Sequence, residues 1–133
     1  MITKYFHQKT VLITGAASGI GKKMALLMAE HQVTLIILDI NAAMAEEVVK
    51  AIEAKGSKAH FYQVDLSNFA MVERVTAAIK EKYSSIDILI NNAGVVTGKS
   101  FRDTSAADIE KTFAVNTIAP MLLTRAVLEA MLS

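Results

Sequence analysis

Four short runs rich in β-branched and apolar residues alternate with longer segments of helical period, and this alternation restricts the fold more than any other feature. The runs are Thr10 to Thr14 (TVLIT), Val33 to Leu38 (VTLIIL), Ala59 to Val64 (AHFYQV) and Ile86 to Ile90 (IDILI). The first, second and fourth are nearly continuous in apolar residues, the pattern of strands covered on both faces in a parallel sheet. Between them lie Gly19 to His31, Ala42 to Lys55 and Asn68 to Tyr83, each with one apolar stripe at helical spacing. Asn41 and Ser67 occupy N-cap positions, and Gly56 a helix C-terminus. A fourth helix is expected from Thr104 or Ser105 to about Leu132, with apolar residues on more than one side and therefore burial on two sides. The order βαβαβαβα predicts an α/β fold: a doubly wound parallel sheet built by right-handed crossovers.

Composition narrows the function classes. The chain has 133 residues, 14 Lys plus Arg against 13 Asp plus Glu, and no Cys. This length fits one domain, residues 1–133, and a net charge of +1 gives no basic field to hold a polyanion, so nucleic-acid binding is not expected. Without Cys there is no disulfide framework, thiolate metal site or thiol nucleophile, which points to the cytosol. The polar start, with Lys4, His7, Gln8 and Lys9, does not read as a signal peptide, and no uninterrupted apolar run approaches the roughly 18 residues of a membrane span. His7, His31 and His60 lack ligand spacing, so no metal site is expected.

The first strand runs directly into Thr14-Gly15-Ala16-Ala17-Ser18-Gly19-Ile20-Gly21, spaced G-x-x-x-G-x-G. Glycines here permit a sharp strand-to-helix turn and let backbone amides approach a pyrophosphate, whose charge a helix N-terminus favours. An acid at the end of the second strand, Asp39, stands where a ribose hydroxyl is bound in folds of this kind and would repel a 2′-phosphate. No Arg or Lys adjoins it, and Ser18 rather than a basic residue precedes Gly19, so NAD is expected over NADP.

Together with Asp65-Leu66 after the third strand, Asn91-Asn92-Ala93-Gly94 after the fourth, and Asn116 in the last helix, these residues resemble the short-chain dehydrogenase/reductase family. The register holds from Lys9 to the C-terminus, over what corresponds to the family's N-terminal half, and implies a three-layer Rossmann fold with strand order 3-2-1-4, the glycine turn of strand 1 lying beside strand 4 at the switch point. The resemblance implies that Gly15, Ser18, Gly19, Ile20 and Gly21 form the pyrophosphate loop, with Thr14 tying that loop to the NNAG turn. It implies further that Asp39 binds the adenosine ribose, that Asp65 and the Leu66 backbone contact the adenine, and that Asn91, Asn92, Ala93 and Gly94 brace the strand ends and line the nicotinamide ribose. Asn116 matches the Asn of the family's catalytic Asn-Ser-Tyr-Lys set. Pro120 supports it on physical grounds: lacking an N–H, it deprives the Asn116 carbonyl of its helical partner, freeing it to hold a water.

The implied reaction is NAD-dependent hydride transfer between the nicotinamide and an alcohol or carbonyl substrate. The family's Ser and Y-x-x-x-K have no counterpart after Asn116, so this chain is expected to carry the cofactor-binding half and to be inactive alone. Tyr5 and Lys9 do read Y-x-x-x-K, but they precede the first strand, where an extended chain would not set them on one helical face. A non-catalytic NAD-binding module or sensor would show the same motifs, and a methyltransferase is disfavoured by NNAG. Because the fourth strand would form an apolar sheet edge and the last helix would keep an apolar face, a homo-oligomer is expected.

Overall fold

The computed structural model describes residues 2–132. A short helix α1 (Ile2–Phe6) precedes β1 (Thr10–Thr14), followed by α2 (Gly19–Met28), β2 (Thr34–Asp39), α3 (Ala42–Glu53), β3 (Lys58–Gln63), α4 (Phe69–Lys82) and β4 (Ile88–Ile90). The last helical run comprises α5 (Ala106–Phe113), a π-helical turn over Ala114–Ile118, and α6 (Ala119–Leu132). All strand pairs are parallel, as the alternation predicts, and the order is β3-β2-β1-β4, as expected from the motifs.

Burial explains why these strands are apolar at nearly every position. Val11, Ile13, Leu35 and Ile37 point to one face, where they pack with Ala25, Met28, Val48 and Ile52 of α2 and α3. Leu12, Ile36 and Leu38 point to the other, where they meet Val72 and Ile79 of α4 and Val115, Ala119, Leu123 and Val127 of the last helical run. Successive residues of β1 and β2 thus enter two separate cores, giving the three-layer arrangement. Over Ala106–Leu132 the 27-residue run is long and apolar enough, by length and composition alone, to cross a membrane, although no unbroken apolar stretch in it is that long. Here the Val115, Ala119, Leu123, Val127 stripe lies against the sheet, while Met121 and Leu132 on the outer side are 68% and 73% exposed.

Boundaries differ from the sequence reading by a residue or two, and the differences have causes. Asn68 rather than Ser67 caps α4, its Oδ1 accepting from Met71 N at 3.1 Å, as Asn41 Oδ1 accepts from Met44 N at 3.1 Å for α3. Gly56 follows the end of α3 with φ of +85°, where an L side chain would be strained. Ser105 caps α5 in a capping box with Asp108, whose carboxyl is drawn down to about 2 by Lys99 and the Ser105 donors. The fourth strand spans only Ile88–Ile90 of the expected run; Asp87 ahead of it anchors the start of β1, its carboxylate accepting from Lys9 Nζ and Thr10 N at 2.8 Å each and its N–H donating to Thr10 O at 2.9 Å. That contact commits Lys9 to a structural ion pair. Tyr5, expected in extended chain, lies instead in the helical turn α1.

Leu123 is fully buried between α6 and the sheet. Leu123→Ala should lower unfolding stability by about 2–5 kcal/mol in a urea titration, the usual range for a buried leucine; a change below ~0.5 kcal/mol would mean that the helix is not docked as described.

Candidate functional site

Thr14 ends β1 buried, and its hydroxyl oxygen accepts from Asn92 N and Ala93 N, both at 3.0 Å. Asn92 returns the contact: its Nδ2 donates to Thr14 O at 3.0 Å and Gly15 O at 3.2 Å. The ends of β1 and β4 are therefore joined by four hydrogen bonds across 77 to 79 residues of sequence. The glycines make this approach possible. A Cβ on Gly15, which has φ of +69°, would lie 2.9 Å from Ala93 Cα; a Cβ on Gly21 would collide with Gly15 O and come within 2.5 Å of Asn92 Nδ2. Ser18 stands at the N-cap of α2 with no side-chain cap, and the first turn holds no acid, so α2 itself brings no anion to its positive end.

Asp39 fixes the same turn from β2. Its Oδ2 accepts from Ala17 N at 2.9 Å and its Oδ1 from Asn41 N at 3.0 Å. Each oxygen keeps acceptor capacity, so the carboxylate can brace the loop and still receive a ligand hydroxyl. Asp65, after β3, accepts from Ser67 N at 2.9 Å and Ser67 Oγ at 2.6 Å on one oxygen, Oδ1. Those donors, helped by the more distant Lys111, hold its carboxyl below the usual range against a smaller opposing effect of burial.

A cleft of about 490 Å³ opens over the C-terminal ends of the strands, where β1 separates β2 from β4. Doubly wound sheets bind ligands at this switch point. Of the residues singled out in the sequence, Gly15, Ser18, Gly19, Ile20, Asp39, Asp65, Leu66, Asn92, Ala93 and Gly94 line it. Thr14 and Gly21 stand behind the lining and set its shape. Asn91 is directed elsewhere, with Nδ2 donating to Thr124 Oγ1 at 3.4 Å, while Thr124 donates to Pro120 O at 2.7 Å. Sequence reasoning missed the apolar walls Leu38, Ile40, Val64, Val95 and Val115, together with Lys111. Leu38, Ile40, Val64, Val95 and Val115 each adjoin a named residue and could have been found; Lys111 carries no local signal.

Asn116 lies in the π turn, where Ala119 N donates to Ala114 O and the chain absorbs one extra residue ahead of Pro120. Pro120 cannot donate to the Asn116 carbonyl. The side chain acts separately from the backbone, with Oδ1 accepting from Val95 N and Nδ2 donating to Val95 O, both at 2.8 Å. This two-point clamp pins the segment after NNAG to the last helical run.

Thr14→Val keeps the side-chain shape and removes the acceptor of two amides. Stability should fall by about 2 kcal/mol, as expected when half-buried donors lose their partner; an unchanged urea midpoint would contradict the lock. Gly21→Ala should fare worse, since its collision is with backbone.

Residues 9–133 match the short chain dehydrogenase family. An uncharacterized oxidoreductase of Thermotoga maritima is 40% identical over 126 residues, 95% of this chain and 49% of the relative. Among solved structures, a metagenomic short-chain oxidoreductase in complex with NADP superimposes with a TM-score of 0.89 at 27% identity, covering 95% of this chain and 58% of that one. NAD+-bound xylitol dehydrogenase gives 0.84 at 28% identity, covering 95% and 49%. The chain spans about half the length of the curated relatives it matches. With strand order, glycine turn and NNAG lock all in place, the chain belongs to the short-chain dehydrogenase family of oxidoreductases.

Proposed function

We propose that residues 1–133 form the NAD-binding half of a short-chain dehydrogenase acting on a small alcohol or carbonyl compound. The observation that carries the NAD reading is Asp39. It sits on the cleft rim, is hydrogen-bonded to the glycine turn through Ala17 N, and has no Arg or Lys beside it in sequence. A carboxylate there suits ribose hydroxyls as donors and disfavours a 2′-phosphate by like-charge repulsion. The solved relatives include both NAD-bound and NADP-bound proteins, so the preference rests on this chain's own residues.

The residues fit a dinucleotide. Gly15 and Gly21 let the turn close against NNAG, Gly19 at φ of +54° leaves open space at its mouth, and the uncapped start of α2 offers its amides to a pyrophosphate. Ser18, Gly19 and Ile20 would line that group. Asp65 and Leu66 would receive the adenine, and Asn92, Ala93 and Gly94 the nicotinamide ribose. Bound there, the dinucleotide supplies or accepts a hydride. Asn116, held by Val95, would present its backbone carbonyl to a water in the proton path, because Pro120 gives that carbonyl no N–H. Thr117 to Ser133 contain neither Tyr nor Lys, so this chain offers no general acid of the family's kind.

Two further parts of the reading concern surroundings. The exposed Met121, Leu128 and Leu132 on α6 suit a second copy of the chain, making a homo-oligomer the proposed state. The Cys-free composition suits a reducing compartment, and the cytosol is the proposed location.

In a fluorescence titration the 133-residue chain should bind NADH at least about tenfold more tightly than NADPH, the scale of one like-charge repulsion of roughly 1.4 kcal/mol. Asp39→Asn, which removes the charge but keeps one acceptor oxygen, should narrow that ratio toward unity. Equal binding of both cofactors by the unaltered chain would refute the role of Asp39. Over a panel of alcohols and ketones the same chain should give no NADH turnover, and measurable turnover would overthrow the half-site reading.

A further inference from the structure

Four lysines have a side-chain hydrogen-bond partner among the described residues, and one of those partners is unlike the others. Lys9 meets Asp87, Lys55 meets Glu30 and Lys99 meets Asp108, at 2.8, 2.9 and 2.7 Å. A carboxylate favours the protonated amine, whose nitrogen has no lone pair to offer an electrophile. Lys82 instead places Nζ 3.1 Å from His60 Nδ1. Two separate elements bring these residues together. His60 lies on the edge strand β3 and pairs with Ile36, whose side chain enters the core on the α4 side, while Lys82 closes the last turn of α4. Tyr83 flanks both, with its ring centroid 5.7 Å from that of His60 and 5.6 Å from Lys82 Nζ. An ammonium only donates, so Nδ1 is the acceptor and the imidazole is neutral. Burial and then the Lys82 charge hold the ring below its ordinary pKa, with Lys58 adding to them and Glu53 opposing, so it is an unprotonated base at neutral pH. Lys82 itself is exposed.

We propose that Lys82 is a site of covalent acylation by thioesters, with His60 as its general base. A base within about 2.6–3.2 Å of the proton it takes meets the geometric requirement, and the Lys82 to His60 separation falls inside it. The amine enters the step neutral, having released one proton to water. Its lone pair bonds to the thioester carbonyl carbon while a second N–H proton passes to His60 Nδ1. The C–S bond breaks, the thiolate leaves with the electron pair, and His60 returns its proton to that thiolate. The products are an amide on Lys82 and a free thiol, with no change of oxidation state. The pair offers a base and no acid, which suits an acyl donor whose leaving group departs as an anion. Neither residue lines the cleft, so the modification is separate from nucleotide binding.

The test is timed acylation of the full 133-residue chain by N,S-diacetylcysteamine at mildly alkaline pH, read lysine by lysine by mass spectrometry of the digested protein. This thioester carries no nucleotide and does not draw on the cleft. Lys80, exposed on the same helix and with no hydrogen-bonded base among the described residues, is the internal reference. Lys82 should acylate about tenfold faster than Lys80. His60→Gln, which keeps an acceptor but takes up no proton in this range, should bring the two rates within about twofold while leaving Lys80 unchanged. Lys9, Lys55 and Lys99 should stay slow in both chains, reporting that the fold is intact. Equal rates at Lys82 and Lys80 in the unaltered chain would overturn the inference. A Lys82 advantage that survives His60→Gln would overturn it too, leaving exposure alone as the cause.

Discussion

The buried hydroxyl of Thr14 holds the candidate site together. It accepts two amides from the turn after β4, and Asn92 answers with two bonds to the turn after β1. The lock matters most for β4, which contributes only three paired residues to the sheet. The lock draws the glycine turn against NNAG so closely that Gly15 and Gly21 have no room for side chains. Rigid backbone at the mouth of a cleft reduces the ordering cost of binding, because amides that will meet a ligand are already aimed. Asp39 adds a second tether from the opposite side, through Ala17 N. The turn is thus anchored from both neighbouring strands, and the sheet order makes both anchors available.

The sheet layers were legible because their signal is local and periodic. Doubly covered strands must be apolar throughout, and the runs TVLIT and VTLIIL state this directly. Strand order needed the glycine turn and NNAG as well, since alternation alone fits more than one doubly wound order. Of the candidate site, the glycine turn, Asp39 and NNAG were readable because each requires a residue type at a fixed place beside a strand end. Side-chain partners were not. Nothing in the sequence indicates that Asn116 clasps Val95 or that Lys111 closes the cleft, since those contacts depend on how the last helical run crosses the sheet. Ser67 and Asn68 are both good capping residues, and only backbone geometry decides that Asn68 caps while Ser67 turns to Asp65.

Pro120 shows the same limit in another form. The sequence identifies a carbonyl without a donor, but several backbone responses satisfy that condition. The chain widens into a π turn over Ala114–Ile118, an arrangement that recurs at functional sites. Widening keeps Val115 and Ala119 in the core on one side while Asn116 reaches Val95 on the other. One helix therefore serves both the packing of the sheet and the shape of the cleft.

If the glycine turn, Asp39 and Asp65 form one dinucleotide cleft anchored by Thr14 and Asn92, ADP-ribose should perturb all three together. Amide chemical-shift mapping of the isotope-labelled chain with ADP-ribose reads this out residue by residue. The largest shifts should cluster at residues 15–21, Asp39 to Asn41 and Asp65 to Ser67, with smaller ones at Asn92 to Gly94. Shifts confined to the outer face of α6, with the glycine turn unmoved, would contradict a cleft of this construction.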